Sequence, residues 1–88
     1  MRRYKRLDRY VEMLLVVLAE QGTPVESAEL YSLAPELRTQ GIPGLLKALV
    51  AKGFIAVEED DSSKRYTCTE RGRAMAAAVV MIDELMPD

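Results

Sequence analysis

The sequence predicts a mainly α-helical domain that carries one small β-hairpin. Apolar residues recur at helical spacing in several segments, and glycine or proline stands at the ends of those segments. Near residue 60, two short runs of strand-forming residues flank a polar connection, which is the pattern of a hairpin. The 88 residues, of which 49% are apolar, have the size and composition of one folded domain, so we expect residues 1–88 to form a single unit.

The first helix is predicted to begin at Tyr4 or Leu7 and to end at about Gln21. Gly22 is expected to follow the helix, because glycine is favoured just after a helix C-terminus. The prediction rests on apolar residues at spacings of three and four, namely Leu7, Tyr10, Val11, Leu14, Leu15 and Leu18.

A second helix is predicted from about Ser27 to Leu33. Two interpretations of the residues before it remain open: a short extended link over 23–25, or a capping box that begins at Thr23 with proline in the first helical position. Pro35 is expected to end this helix, because a residue before proline disfavours the helical conformation. Residues 35–41 are then predicted to form a turn.

A third helix is predicted from about Pro43 to Lys52, with Gly53 after it. Two strands, 54–58 and 65–69, are expected to pair as a hairpin around the polar connection 59–64. The helix is expected to face the core with Ile42, Leu45, Leu46, Leu49 and Val50 and to face outward with Gln40, Gly41, Gly44, Lys47 and Ala48.

The last helix, predicted from Glu70 to about Met86, has no polar side between Ala74 and Ile82. A helix that is apolar all round is buried all round, and a domain of this size has too little mass to cover every face. We therefore predict a two-fold homodimer built on this helix, the alternative being a helix folded wholly onto its own domain. The expected interface residues are Met75, Ala78, Val79, Ile82, Leu85 and Met86.

The order of helix, helix, turn, helix, hairpin and helix is the layout of a winged helix-turn-helix domain. In this layout residues 1–6 are a basic arm and 27–53 the helix-turn-helix. Residues 54–69 form the hairpin, or wing, and 70–86 form a C-terminal dimerisation helix.

Two segments resemble a known family. Residues 45–55, Leu-Leu-Lys-Ala-Leu-Val-Ala-Lys-Gly-Phe-Ile, resemble the recognition helix and first wing strand of MarR- and PadR-type winged-helix regulators. Residues 59–72 are similar to their wing, with an Asp-rich tip, a basic pair, a tyrosine and a closing Thr-Glu-x-Gly. The matching segments cover about residues 41–73. The resemblance implies a regulator of transcription that binds double-stranded DNA.

In such a fold the second helix of the motif lies in the major groove, and the wing is expected on the backbone. Gln40 can pair with adenine, and Thr39 can reach a base or a phosphate or else cap a helix. Lys47 can contact phosphate or be an ordinary solvated residue. Gly41 and Gly44 either admit a phosphate or serve only the turn. The expected DNA contacts are Arg38, Thr39, Gln40, Lys47, Ser62, Ser63, Lys64, Arg65, Arg2, Arg3 and Lys5.

The charge is unevenly distributed along the chain. Residues 1–10 carry five basic side chains and one acidic side chain, a balance of +4, so the −2 of the whole chain leaves −6 for residues 11–88. Local potential can still support DNA binding in an acidic protein. The acidic remainder and the small number of base-reading side chains favour the alternative function, a winged-helix module that binds protein and not DNA.

Other classes of function find little support in the sequence. There is no histidine, no glycine-rich phosphate loop and no nucleophile motif, so we expect neither an enzyme nor a cofactor. The lone Cys68 excludes a disulfide within the chain and an ordinary zinc site, and we expect it to be a small buried residue. No membrane helix or signal peptide is predicted, which makes a cytoplasmic protein the expectation.

Overall fold

The structure, a computed structural model, describes residues 7–86. It confirms the mainly α fold class with a small sheet. The elements in chain order are α1 (Arg9–Gln21), β1 (Val25–Glu26), α2 (Ser27–Leu33), a 3₁₀ helix (Pro35–Gln40), α3 (Ile42–Ala51), β2 (Ile55–Glu59), β3 (Lys64–Cys68) and α4 (Glu70–Leu85).

Helix α1 begins two residues after Leu7, the later of its two predicted starts. Asp8 is the N-cap, and its carboxylate accepts a hydrogen bond from the Tyr10 amide at 2.9 Å, which fixes the first turn. Gly22 follows the helix in the left-handed conformation, with φ of 66°, as predicted.

The link before α2 is extended, and it forms the third strand of the sheet. Val25 pairs with Tyr66, and Glu26 pairs with Arg65. A capping box is present, but the interpretation that began it at Thr23 is wrong. The amide of Glu26 donates to the Glu29 side chain at 3.3 Å, so the box starts three residues later and α2 begins at Ser27.

The predicted turn over 35–41 is in fact a 3₁₀ helix followed by Gly41. Ala34 is non-helical, with φ of −136°, as expected for a residue before proline. The side chain of Leu37 is fully buried, so the short helix contributes to the core as well as turning the chain.

Helix α3 buries one stripe, Ile42, Leu46 and Leu49, at spacings of four and three. Two of the predicted orientations are wrong. Val50 is 37% exposed, because it lies about 100° around the helix from Leu49 and beyond the edge of the buried stripe. Ala48, predicted to face outward, is half-buried against the core.

The sheet is antiparallel with strand order β1-β3-β2. In the hairpin Ile55 pairs with Cys68 and Glu59 pairs with Lys64, so each strand is offset by one residue from its predicted range. The inner face of the sheet and the helices enclose a single cluster of buried residues: Val11, Leu14, Leu15, Leu18, Val25, Leu30, Ala34, Leu37, Ile42, Leu46, Leu49, Phe54, Ile55, Cys68 and Ala76.

Helix α4 is buried on one side within the single chain, and burial of its other faces against a second copy stays a prediction. It buries one stripe, Gly72, Ala76 and Val79, and it packs against α1. Much of its surface beyond Val79 is exposed, including Met81 and Leu85. Residues 74–82 of this alanine-rich helix include no polar side chain that would identify the solvent-facing side. The sequence therefore did not predict which stripe of the helix is buried.

The wing-base junction, formed by Gly53, Phe54, Thr69 and Gly72, connects α3, the hairpin and α4. The Thr69 hydroxyl donates to the Gly53 carbonyl at 2.8 Å and accepts from the Gly72 amide at 3.0 Å, so it caps α4 as well. The Thr69 amide donates to the Phe54 carbonyl at 3.0 Å. A Cβ on Gly72 would lie 2.8 Å from the Phe54 carbonyl carbon and closer still to its oxygen.

We predict that Gly72→Ala lowers the free energy of unfolding by about 1–3 kcal/mol, because the added methyl group meets rigid backbone. Gly44→Ala is the matched control. A Cβ at Gly44 meets nothing within 4 Å, and the change should be neutral or stabilising by up to about 1 kcal/mol. Urea unfolding followed by circular dichroism measures both, and equal midpoints for the two variants would contradict the junction geometry.

Candidate nucleic-acid interface

The outer face of α3 is the first part of the candidate site. Gly41 precedes the helix with φ of 74° and ψ of 74°, a conformation that favours glycine, and Pro43 occupies the first turn. On the side away from the buried stripe the helix exposes Pro43, Gly44, Lys47 and Val50. Lys47 is the charged residue of this face, and it forms no ion pair with any residue in the described range.

Three exposed polar side chains lie at the end of the 3₁₀ helix, just before α3. The Arg38 guanidinium lies 6.0 Å from the centre of the Tyr31 ring, at the outer limit of a cation–π contact. The Gln40 amide donates to the Thr39 hydroxyl over a long 3.4 Å, so little holds it in place. Arg38, Thr39 and Gln40 therefore stand where the sequence predicted them, exposed beside the helix N-terminus.

The wing tip is organised by the carboxylate of Asp60. One of its oxygens accepts hydrogen bonds from the Ser62 and Ser63 amides, each at 3.0 Å, and lies within 3.5 Å of both hydroxyls. The Asp60 amide donates to the Ser63 carbonyl at 3.0 Å and closes the turn. The two serines predicted as DNA contacts are thus turned toward Asp60.

Arg65 and Lys64 have different surroundings although they are neighbours. The Arg65 guanidinium forms an ion pair with Asp60 at 2.9 Å, and its strand position is opposite Glu58 on one side and Glu26 on the other. Lys64 is exposed and forms no ion pair with a described residue. Local pairing of wing charges is therefore present for Arg65 and absent for Lys64 among the described residues.

The hydrogen bonds of the wing tip lower the pKa of Asp60. The Ser62 and Ser63 amides are the largest causes, and the positive charge of Arg65 adds to them. The sequence analysis did not predict this organising role of Asp60. The signal was present in the Asp-x-Ser-Ser pattern, since aspartate commonly accepts from amides two and three residues later.

The arginines at the start of α4 are held by the fold. The Arg71 guanidinium lies 5.3 Å from the centre of the Phe54 ring, and Arg73 donates to the Cys68 carbonyl at 3.1 Å. The expected DNA contacts Arg2, Arg3 and Lys5 lie outside the described residues. Among the described residues of the helix-turn-helix and the wing, the basic side chains that form no ion pair with a described residue are Arg38, Lys47, Lys52 and Lys64.

The residues expected at a dimer interface fall into three groups. Val79 is 3% exposed because it packs inside its own protomer, so it is not available to a partner in this fold. Met75 and Ile82 are half-buried, whereas Ala78, Leu85 and Met86 are exposed. Exposed Val80 and Met81, which the sequence analysis did not select, adjoin them on α4.

Two grooves lie along the contact between α1 and α4. One has a volume of about 490 Å³ and the other about 680 Å³. Val16 and Val80 line both grooves and form the ridge between them. The smaller groove is mostly apolar, whereas Arg9, Glu12, Glu36 and Asp83 contribute to the lining of the larger one.

Cys68 is buried as expected, with 8% of its surface exposed and its sulfur 3.9 Å from the Leu15 carbonyl oxygen. Burial raises the pKa of the thiol, which disfavours the reactive thiolate. Within residues 7–86 no three metal-binding side chains cluster in a way that could hold an ion. In the same range no helix has the length and apolar character needed to cross a membrane.

Solved structures of other proteins share this fold. A Pseudomonas aeruginosa protein described as a probable transcriptional regulator has a TM-score of 0.76 and 23% identity, over 90% of this chain and 60% of its own. A reported archaeal mechanosensitive channel is described as a structural homolog of MarR-like transcriptional regulators. It has a TM-score of 0.72 and 23% sequence identity, and the match covers 89% of this chain and 67% of the other. SSV1 F-93 has a TM-score of 0.60 and 18% sequence identity, and the match covers 94% of this chain and 100% of the other.

At 23% identity or less these likenesses show a shared fold, and they confirm the prediction of a winged helix-turn-helix fold. The chain spans 60% of the length of the first of these proteins. No protein-family model matches the sequence, and a search of curated proteins gives no match.

We predict that the Asp60 carboxylate titrates with a midpoint below its ordinary value of 3.8. Because its pKa is lowered by folding, its contribution to stability is present above the unfolded pKa and is lost as the pH falls through the folded pKa. Carboxyl-carbon NMR measures the midpoint, and the Ser62 and Ser63 amide shifts should follow the same curve. A midpoint at or above 3.8 would mean that the amides do not bind this carboxylate in solution.

Proposed function

We propose that the chain is a DNA-binding regulator of transcription that acts as a homodimer, with α3 in the major groove and the wing tip on the backbone. The observation that carries the proposal is the charge around the recognition helix. Residues 37–57 contain three basic side chains and no acidic one, within a chain whose net charge is −2. Phosphate attraction depends on such local potential more than on total charge.

The position of this segment in the fold supports the same function. Helix α3 is the second helix of the helix-turn-helix motif, and the N-terminal side chains of that helix contact base edges in this class of domain. Gln40, two residues before α3, and Lys47, at the middle of α3, are exposed, whereas the buried stripe faces the core. Solved structures of proteins described as transcriptional regulators share the fold. A regulator acts where DNA is, so the cytoplasm is part of the proposal.

The wing contributes to the proposed interface through Lys64 and less through Arg65. Lys64 projects from the end of β3 with no ion pair among the described residues. Arg65 would have to leave Asp60, and the nearby Glu58 would repel an approaching phosphate. Lys64 stands opposite Glu59 but forms no ion pair with it, so Lys64 is expected to contribute more than Arg65 to phosphate binding.

The dimer is proposed from the exposed apolar end of α4. Leu85 and Met86 are 75% and 73% exposed, and Met81 is 61% exposed. An exposed apolar surface of this kind commonly marks an interface, and most soluble oligomers are two-fold dimers. A second copy of α4 offers the same apolar surface in return. Two recognition helices would then reach successive major grooves, roughly 34 Å apart.

The second candidate function is binding of a protein partner through the winged helix. The carboxylates Glu58, Glu59, Asp60 and Asp61 favour it, since they surround the wing tip with negative charge. A basic protein surface would fit such a wing better than DNA would.

The test of the proposed function is fluorescence anisotropy of labelled random duplex DNA, titrated with the protein between about 50 and 200 mM salt. Binding that weakens steeply with salt supports the DNA-binding function. Absence of binding at the lowest salt, with a folded protein confirmed by circular dichroism, contradicts it and favours the protein-binding function.

Substitution of neighbouring wing residues gives a sharper prediction. Lys64→Ala should remove one phosphate contact from each protomer and reduce the slope of log affinity against log salt by about 1 for each protomer bound. Arg65→Ala should reduce the slope by clearly less, because Asp60 already neutralises that charge. The same anisotropy titration measures both, and a larger loss from the arginine change would show that DNA displaces Asp60.

The dimer is tested by Leu85→Glu. Because a charge on the exposed end of α4 opposes burial of that surface, the variant should be monomeric and bind DNA more weakly than the unchanged protein. Sedimentation equilibrium gives the mass, and Leu33→Glu, at an apolar position on α2 that is 40% exposed, is the matched control. A monomeric unchanged protein, or a dimer that survives the Leu85 change, would contradict an interface on α4.

A further inference from the structure

We infer that two copies of the chain pair through α4 in antiparallel orientation, with Arg73 of each copy against Glu84 of the other. This inference rests on the homodimer proposed above, and it states which surface of α4 forms the dimer and in which register. The surface is the α4 seam, formed by Arg73, Ala77, Val80 and Glu84. The charges at its two ends are opposite, so the seam is complementary to a second copy of itself.

The α4 seam is a continuous stripe along one side of the helix. Its members follow one another at spacings of four, three and four, so they lie within about 60° of one another around the helix. All four are exposed, and the stripe that α4 buries lies roughly 100° away. Val80 is 40% exposed, and Met81 beside it is 61% exposed. Packing within one copy therefore leaves the seam open to another chain.

The charges at the end of α4 oppose the preference of the helix itself. A helix dipole favours acidic side chains in the first turn and basic ones in the last turn. Glu70 in the first turn follows this preference, but Asp83 and Glu84 lie in the last turn, where the dipole is unfavourable to them. A second α4 in antiparallel orientation brings the positive end of its dipole, and with it Arg73, to these carboxylates.

Within one copy, the two charges of the seam have no ionic partner. Neither Arg73 nor Glu84 forms an ion pair with any residue in the range 7–86. The Arg73 guanidinium donates to the Cys68 carbonyl at 3.1 Å through one nitrogen, which holds the side chain in place and leaves its other N–H groups available. Glu20 of α1 lines the same groove as Arg73 and Glu84, and it forms no ion pair with Arg73. A two-fold axis can bring the two seam charges together.

The two-fold axis also fixes which apolar residues meet. Arg73 and Glu84 are separated by about 16 Å along the helix. In an antiparallel pair in which these two residues face each other, Ala77 of one copy faces Val80 of the other. A small side chain is then opposite a larger one on both sides of the axis, which allows the helices to approach closely. A parallel pair would instead place like charges together at both ends.

Reversal of the two charges tests the pairing. Arg73→Glu and Glu84→Arg each place like charges at both ends of the pair, so each variant should dimerise at least about tenfold more weakly than the unchanged protein. An equimolar mixture of the two variants restores both opposite-charge pairs in a heterodimer, and a double variant with both changes restores them in a homodimer. Each should recover an affinity within about threefold of that of the unchanged protein. Sedimentation equilibrium at about 50 mM salt measures these affinities.

Asp83→Arg is the matched control. It changes the charge by the same amount as Glu84→Arg in the same turn, but Asp83 lies about 100° around the helix and lines the larger groove. It should weaken the dimer by less than about threefold. Circular dichroism confirms that each variant is folded. Because Arg73 also bonds the Cys68 carbonyl, the comparison of Glu84→Arg with Asp83→Arg decides the result if Arg73→Glu does not fold.

The outcomes separate this inference from the homodimer on which it rests. If the unchanged protein is a dimer, single reversals without effect, or equal losses from Glu84→Arg and Asp83→Arg, overturn the pairing and leave the homodimer intact. Single losses that neither the mixture nor the double variant recovers also overturn it. A monomeric unchanged protein contradicts the homodimer and, with it, the antiparallel pairing.

Discussion

The contact between the Gly72 backbone and the Phe54 carbonyl is the constraint on which the arrangement of this domain depends. A side chain at Gly72 would separate α4 from the start of β2, and Thr69 could no longer bond both Gly53 and Gly72. Because Gly53 ends α3 and Phe54 begins the wing, this junction fixes the recognition helix, the hairpin and the last helix relative to one another. The Thr-Glu-x-Gly sequence is thus a packing requirement of the fold.

Charge is distributed over this scaffold so that the recognition helix and the wing have different electrostatic surroundings. Residues 37–57 lack acidic side chains, whereas the wing carries four carboxylates before Lys64. Within the wing, the Asp60 carboxylate accepts hydrogen bonds from two serine amides and forms an ion pair with Arg65. The acidic total charge of the chain is therefore compatible with a local attraction for phosphate at α3, and the wing adds to it through one lysine.

The sequence alone predicted the structural features that are determined by local interactions. Pro35 and Gly53 set element boundaries through their own backbone chemistry, and the fold class followed from the order of the elements. Strand β1 was missed because two residues carry no periodicity and its partner lies some forty residues away. The pairing of Arg65 with Asp60 depends on the shape of the turn, which composition does not contain. Gln40, Lys47 and Lys64, which are proposed to contact DNA, lie exposed at the surface.

The most direct test of the central claim is a proton–nitrogen NMR spectrum of the labelled protein with and without duplex DNA. If α3 and the wing tip bind DNA, the amide resonances of Gln40, Lys47 and Lys64 should shift on addition of duplex and return at high salt. Shifts confined to α4, or an unchanged spectrum at low salt, would contradict a DNA-binding function for this domain.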